Sequence, residues 1–355
     1  MKYRVRHYPV SELSPGMIVG ETIVSETGKV MLDENAVLND TLIRLLFFWG
    51  VETIPIKETG PSRLKFLNTA AAENQAFVAT HREITAAVKD AFDKIRCLRE
   101  VPVQQFAELA NRCYSSLVSS PGVMNHLMTI YETDDYTFRH SVNVSIIAGV
   151  IGKWLGIMED LLQDLVLAGM LHDVGKTQIP LSILNKPGKL AGAEMELMKE
   201  HAAKGADLLA ASCQLPDSVT SAIRQHHERM DGTGYPCRLH GDKISLTAKV
   251  IAIADIYDAM TSNRVYRTAV TPFAVAAEFS KDMFAKLAPE ICTVFLNNLA
   301  QSLIGCTVRL SDASTAKVIC INKHHLDRPT LQATDGTFVN LTERRDLTIL
   351  GIISD

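Results

Sequence analysis

No Cys-x-x-Cys pair occurs in this sequence, although it contains seven cysteines. Cys97, Cys113, Cys213, Cys237, Cys292, Cys306 and Cys320 form an odd and scattered set. That argues against a zinc ribbon or a disulfide framework and fits a reducing cytoplasm. Long apolar runs are also missing. A spanning helix needs about 20 apolar residues, and the nearest candidate, 141–158, contains Asn143, Ser145 and Lys153. It reads as a buried helix, so no membrane span is expected. The stretch from Met1 to His7 is not followed by an apolar run, so no signal peptide is expected. Positive charge is not in excess either, because the formal net charge is −4. Duplex nucleic acid would meet no global basic field, and a small anionic substrate would need local cations.

What is present is the composition of a globular protein, 47% hydrophobic and 21% charged, in a chain long enough for two or three domains. Residues 1–57 read as a small α/β module. Leu13 to Met17 is a turn between β-prone runs, and Ser25 to Lys29 is a second turn before Val30-Met31-Leu32. Asn39-Asp40 caps a short helix carrying Leu42, Ile43, Leu45, Leu46 and Phe47, Gly50 stops it, and 51–56 returns as a strand. Residues 58–122 are a linker followed by a helical connector over 66–118. Its apolar positions Phe77, Ile84, Val88, Phe92 and Ile95 recur at helical spacing. That stripe serves either as a homodimer seam or as packing against the chain's own core, and the sequence leaves both open. Residues 123–290 read as helices near 124–133, 139–155, 159–172, 192–211, 216–229, 245–262 and 271–287. Residues 291–355 hold the end of a helix and then short β-prone runs, with Asp335-Gly336 as a hairpin signal. His324-His325 reads as a solvated loop, since no acidic or cysteine cluster surrounds it.

The stretch Leu171-His172-Asp173-Val174-Gly175-Lys176 sets an imidazole beside a carboxylate. Imidazole suits Zn, Fe, Ni and Cu, and carboxylate also suits Mn and Mg. The carboxylate has two oxygens and can bridge two cations. Alone, the pair is a weak signal. His140 lies upstream, however, and His201, His226, His227 and Asp255 lie downstream, each in an otherwise apolar helical stretch. Burying so many polar groups without a shared partner is costly, and a metal cluster is the simplest partner.

This pattern resembles the HD superfamily of metal-dependent phosphohydrolases. The tract His226-His227-Glu228-Arg229-Met230-Asp231-Gly232-Thr233-Gly234-Tyr235-Pro236, with the stretch from Ala254 to Arg267, narrows the likeness to the HD-GYP subfamily over roughly residues 125–285. The resemblance implies a mainly α protein with an all-helical HD-type catalytic domain. A small α/β N-terminal module, like one often found before HD-GYP domains, and a small β-rich C-terminal appendage would flank it. It implies a cytoplasmic bacterial phosphodiesterase hydrolysing cyclic di-GMP to pGpG, with a second cut giving GMP. One metal would be held by His140, His172, Asp173 and Asp255, and the other by Asp173, His201, His226 and His227. Fe or Mn is the expected metal, with Ni or Zn as occupants of isolated protein. Some relatives hold a third metal through a glutamate where this chain has Tyr136, with Asp134 and Asp135 out of register, so a binuclear site is expected.

Several residues suit the substrate. Lys176 can neutralise the scissile phosphate or orient the nucleophile, and Gly175 leaves room for close approach. Gly234, Tyr235 and Pro236 form a loop whose tyrosine can stack on guanine or donate to phosphate. Arg264 and Arg267 suit phosphate by bidentate hydrogen bonding, and Val265 stands where the family usually has proline. The resemblance also implies docking to diguanylate cyclase proteins. Two other readings stand beside the main one: a phosphodiesterase for another cyclic dinucleotide such as cyclic GMP-AMP, and a non-catalytic signalling adaptor.

Overall fold

The structure, a computed structural model, describes residues 4–13, 17–24, 30–58 apart from 33, 35, 37, 39 and 50, then 63–120, 122–128, 136–212, 215–262, 270–279, 286–322 and 325–353. Two compact units divide the chain, Met1–Glu73 and Asn74–Asp355.

The first unit contains β1 (Arg4–Pro9), β2 (Ile23–Val24), β3 (Val30–Leu32), α1 (Asp40–Phe48) and β4 (Thr53–Glu58). β1 pairs antiparallel with β4, and β2 with β3. Val10, Val19, Leu32, Leu38, Leu46, Ile54 and Ile56 make its small core. β4 is the returning strand expected at 51–56. Its partner β1 alternates Arg4, Arg6 and Tyr8 with Val5 and His7, too weak an apolar alternation to announce a strand. The turns expected at 13–17 and 25–29, the cap at Asn39, the stop at Gly50 and the linker after Glu58 lie wholly or partly outside the described residues.

The second unit is mainly α. Helix α2 (Arg63–Leu98), which belongs to this unit from Asn74 onward, ends where Arg99 takes a φ of 60°, and α3 (Val103–Cys113) restarts after Pro102. Then follow α4 (Val123–Met128), α5 (Tyr136–Trp154), α6 (Glu159–Leu171), α7 (Leu181–Leu184), α8 (Gly192–Lys199), α9 (His201–Ser212), α10 (Asp217–Gln225), α11 (Leu246–Thr261), α12 (Pro272–Glu278) and α13 (Pro289–Leu303). Helix α11 begins where Ser245 accepts from the Ala248 amide, and α12 where Thr271 accepts from the Ala274 amide. The apolar stripe of α2 packs inside its own unit: Phe77, Ile84, Val88, Phe92 and Ile95 are all buried. Phe92 meets Phe106 and Phe138 edge-on. Full burial of such a side chain contributes roughly 1.5–3 kcal/mol, which is ample reason for the helix to stay where it is.

Helix α5 is buried on every side from Ser141 to Ile151, which places it at the centre, against α6 and α11. At the C-terminal end β5 (Thr307–Leu310), β6 (Thr315–Asn322), β7 (His325–Ala333), β8 (Phe338–Asn340) and β9 (Ile349–Ile353) form an antiparallel sheet in the order β8-β7-β6-β5-β9. Val308, Leu310, Val318 and Leu331 carry the helical core into it. His325 is exposed but opens β7 rather than sitting in a loop, and His324 lies outside the described residues. One expected helix, 192–211, is two. It breaks at Glu200, so that His201 starts α9.

Candidate metal centre

Helix ends supply most of this site. Helix α6 stops at Leu171, so His172 is its C-cap and Asp173 stands at the start of a 3-10 turn, Val174–Gln178. Helix α10 stops at Gln225, so His226 and His227 leave it consecutively. His201 begins α9, His140 lies in the second turn of α5, and Asp255 comes from within α11. All seven residues singled out in the sequence converge. His140, His172 and Asp255 form one group of potential ligand atoms, and His201, His226 and His227 a second. His172, Asp173 and His226 form a third that joins them. Asp173 reaches both sides: its Oδ2 is 3.3 Å from His172 Nε2 and 3.9 Å from His140 Nε2, while its Oδ1 is 3.4 Å from His201 Nε2. Asp255 Oδ1 lies 3.1 Å from His140 Nε2.

The outer nitrogens show what the inner ones are for. The Nδ1–H groups of His172, His201 and His226 donate to the carbonyls of Gly169, Met198 and Ile223 at 2.8, 2.7 and 2.7 Å. His140 Nδ1 meets Asp258 Oδ2 at 2.7 Å. In His172, His201 and His226 the anchor leaves an Nε2 lone pair facing the centre, the tautomer a metal ion takes, and in His140 it holds Nε2 towards Asp255. His172 Nε2 is buried and has no hydrogen-bond partner among the described residues. His201 Nε2 and His226 Nε2 face each other at 3.3 Å, and with both protons on Nδ1 nothing among the described residues reconciles two lone pairs. Nitrogens about 2.1 Å from one cation stand about 3 Å apart. The donor set and its orphaned atoms therefore fit a shared cation.

Electrostatics agree. Burial opposes the charge of Asp173, but Lys176, His172 and His201 outweigh it and hold the carboxyl well below the usual range. Asp255 is held low in the same way, chiefly by His140 against burial. Burial pushes His227 down to about 3 and lowers His201 and His226, so these rings are neutral near pH 7. Burial also lowers His140, yet the hydrogen bonds it donates to Asp255 and Asp258 overcome it and raise it to about 9. Outside this cluster, burial pushes His81 down to about 4. The consequence for metal-free protein has a definite sign. Below pH 6.5 the unfolded chain takes up protons that His81 and His227 refuse in the fold, so stability falls as pH drops towards 4. His140 stabilises fully below pH 6.5, and that contribution is lost as pH rises through 9. Urea midpoints of chelator-treated protein are expected to peak near pH 6.5. A midpoint still rising at pH 9 would contradict this assignment.

Lys176 Nζ is 2.6 Å from Asp173 Oδ2 and partly exposed, so its charge sits at the rim of the cluster. Gly175 has a different use from the one expected. A Cβ there would overlap the His201 carbonyl and lie 2.6 Å from Gly205 N, so its bare Cα serves the packing of the 3-10 turn on α9 rather than access for a substrate. The ring of Tyr235 lies 4.6 Å from that of His227, beside the centre. Gly234 lets its loop fold back, since a Cβ would stand 2.5 Å from His227 O, Glu228 Cα and Arg229 N. Pro236 follows Tyr235 through a cis peptide. Arg264, Val265 and Arg267, like Asp134 and Asp135, lie outside the described residues; Tyr136 begins α5.

Sequence reasoning passed over the supporting residues. Glu228 is buried and accepts from the amides of Cys237 at 2.6 Å and Leu239 at 2.9 Å, closing the Gly-Tyr-Pro loop. Its place directly after two histidines was the available signal. Glu228→Ala leaves two amides without their acceptor, about 1–3 kcal/mol. A lower melting temperature and a raised KM are expected, with metal content unchanged; loss of metal instead would make Glu228 part of the ligand set. Asp258, Asn143 and His81 were also missed, because nothing local to their helices distinguishes them.

A family model described as HD domain matches residues 124–281. These residues therefore form an HD domain. The Gly234-Tyr235-Pro236 loop inside it resembles the loop of the HD-GYP branch. HD-domain phosphohydrolases are metal-dependent, and the three groups above are the ones among the described residues that could hold an ion. The chain is 32% identical over 234 residues to a cyclic di-GMP phosphodiesterase of Pseudomonas aeruginosa, covering 66% of this chain and 56% of that protein. It is 39% identical over 159 residues to a cyclic di-GMP phosphodiesterase response regulator of Xanthomonas campestris, covering 44% and 42%. A 3'3'-cGAMP-specific phosphodiesterase of Vibrio cholerae is 36% identical over 155 residues, covering 44% and 34%. The chain thus spans about half or less of these relatives' lengths. Among solved structures, an HDG"Y"P protein of Bdellovibrio bacteriovorus superposes with a TM-score of 0.53 at 17% identity, over 83% of this chain and 99% of that one, which supports the fold. No helix among the described residues is long and apolar enough to cross a membrane.

Proposed function

We propose that this HD-GYP chain is a two-metal phosphodiesterase that hydrolyses cyclic di-GMP to linear pGpG. The observation that carries the reading is Asp173, buried between two histidine groups with an oxygen towards each. His140, His172, Asp173 and Asp255 would hold one ion, and Asp173, His201, His226 and His227 the other. Two bound divalent cations would lower the pKa of a water and neutralise charge on the phosphoryl oxygens. The resemblance to HD-GYP proteins implies Fe or Mn, both of which accept mixed imidazole and carboxylate ligands. The remaining work belongs to side chains. The Lys176 ammonium, already at Asp173, orients the scissile phosphate. Tyr235 offers its ring to a guanine, and Arg264 and Arg267 take the second phosphate as bidentate donors. Water adds to phosphorus, the P–O3′ bond breaks, and the 3′ oxygen leaves with a proton.

The names of two relatives support cyclic di-GMP, and a third supports cyclic GMP-AMP as the alternative substrate. The complete ligand set speaks against a non-catalytic adaptor. Docking to diguanylate cyclase proteins belongs to this reading, as does a cytoplasmic setting, which the scattered free cysteines favour. A homodimer through α2 would use its exposed face, since the apolar stripe is buried in the chain's own core.

The test is anaerobic purification, metal analysis and reconstitution with Fe(II) or Mn(II). Cyclic di-GMP and 3'3'-cyclic GMP-AMP are then assayed chromatographically at equal concentration. Appearance of pGpG with about two metals per chain is expected. Turnover of the mixed dinucleotide alone would move the substrate assignment. Binding of cyclic di-GMP without product, at full metal occupancy, would make the chain an adaptor.

A further inference from the structure

His81 stands in the apolar stripe of α2, between Phe77 and Ile84, and only 2% of it is exposed. A leucine or phenylalanine would fill such a position without burying polar atoms. Its helix lies outside the residues matched to the HD domain. His81 Nε2 is 2.7 Å from Asn143 Oδ1. Asn143 Nδ2 donates to Asp258 Oδ1 at 2.7 Å, and Asp258 Oδ2 meets His140 Nδ1 at 2.7 Å. Ser262 Oγ adds a donor to Asp258 Oδ1 at 3.1 Å. His81, Asn143, Asp258 and His140 are all buried, so water does not substitute for a lost bond.

We propose that His81 is a positioning residue for the metal centre, acting through Asn143 and Asp258 on the ring of His140. The proposal rests on the reading of His140 as a ligand. An asparagine amide has nearly the same shape in either orientation, so its neighbours choose between them. An ionised Asp258 accepts only, and therefore requires the NH2 end. The carbonyl end is then buried and needs a donor, which is the Nε2–H of His81. Every bond in the chain points the same way, towards Asp258, and its carboxylate in turn fixes His140 with Nδ1 as donor and Nε2 towards Asp255. Without His81 the Asn143 carbonyl has lost its donor. The amide then shifts to find another donor for its carbonyl, its NH2 bond to Asp258 is weakened, and Asp258 loses part of its hold on the imidazole. Partners behind a ligand typically change metal affinity by about 10–100-fold when removed.

The experiment titrates metal-stripped protein with Mn2+ alone, following free Mn2+ by electron paramagnetic resonance. His81→Phe is expected to weaken binding about tenfold, at the low end for a residue acting through two others. His81→Gln restores an N–H donor and is expected to stay within about threefold of wild type. Asn143→Leu cuts the relay at its next member and weakens binding as His81→Phe does, which keeps the test open if the phenyl ring prevents folding. Urea unfolding of each metal-free variant checks the fold; a merely structural histidine would lower that midpoint and leave Mn2+ affinity untouched. Wild-type affinity in folded His81→Phe and Asn143→Leu, or glutamine no better than phenylalanine, would overturn the proposal. No cyclic dinucleotide enters the titration, so a wild-type protein that binds Mn2+ but cleaves nothing would refute the proposed activity and leave this result standing.

Discussion

Asp173→Ala is expected to abolish phosphodiester hydrolysis and to take metal content from about two ions per chain to below one. Asp173 is the carboxylate with an oxygen towards each histidine group, and it is 1% exposed. Its loss removes a shared ligand and the negative charge that offsets the buried cations. Lys176 loses its partner at the same time. Two-metal stabilisation of phosphoryl transfer is worth several kcal/mol, so turnover should fall by about 10³-fold or more. Asp173→Asn separates the causes. It keeps the shape and one coordinating oxygen but lacks the charge, so it should retain more metal than the alanine variant while remaining almost inactive. Metal analysis beside a chromatographic assay reads both. Wild-type turnover in Asp173→Ala would remove the ligand assignment altogether.

Gly175→Ala is expected to damage the centre without replacing a ligand side chain. The added methyl would overlap the carbonyl of His201 and press on the Gly205 amide, and both are backbone, so no rotamer relieves the contact. Overpacking of this kind typically costs about 1–3 kcal/mol and occasionally more, and here a rigid helix start must move. The segment that moves carries His201, whose Nε2 lies 3.4 Å from Asp173 Oδ1 and 3.3 Å from His226 Nε2. A lower urea midpoint should therefore accompany loss of the second ion. Gly192→Ala, at a position where a Cβ meets nothing within 4 Å, is the control and should change neither. If Gly175→Ala unfolds and binds metal as wild type does, the turn and α9 do not meet as described.

Much of this site was legible before any fold was known, because ligand chemistry resides in residue types. Histidines and aspartates in apolar helical stretches are expensive unless they share a partner, and that argument alone collected all seven of the clustered residues. Local periodicity gave the helices of residues 123–290, and the resemblance to the HD superfamily implied the mainly α class. Strand β1 stayed hidden because its apolar residues are too few to alternate clearly, and the break at Glu200 because neither proline nor glycine marks it.

Distance along the chain divides the two kinds of knowledge. Donor identity, helix faces and the Gly-Tyr-Pro loop are set by residues a few positions apart, and the sequence determined those by itself. The direction in which each imidazole points is not local. His140 is held by Asp258, 118 residues away, Asp258 by Asn143 across 115, and Asn143 by His81 across 62. Gly175 likewise gains its meaning only where α9 arrives against it. Tertiary structure decided these, because a buried hydrogen bond or a backbone contact exists only once packing has excluded water and brought remote segments to bonding distance.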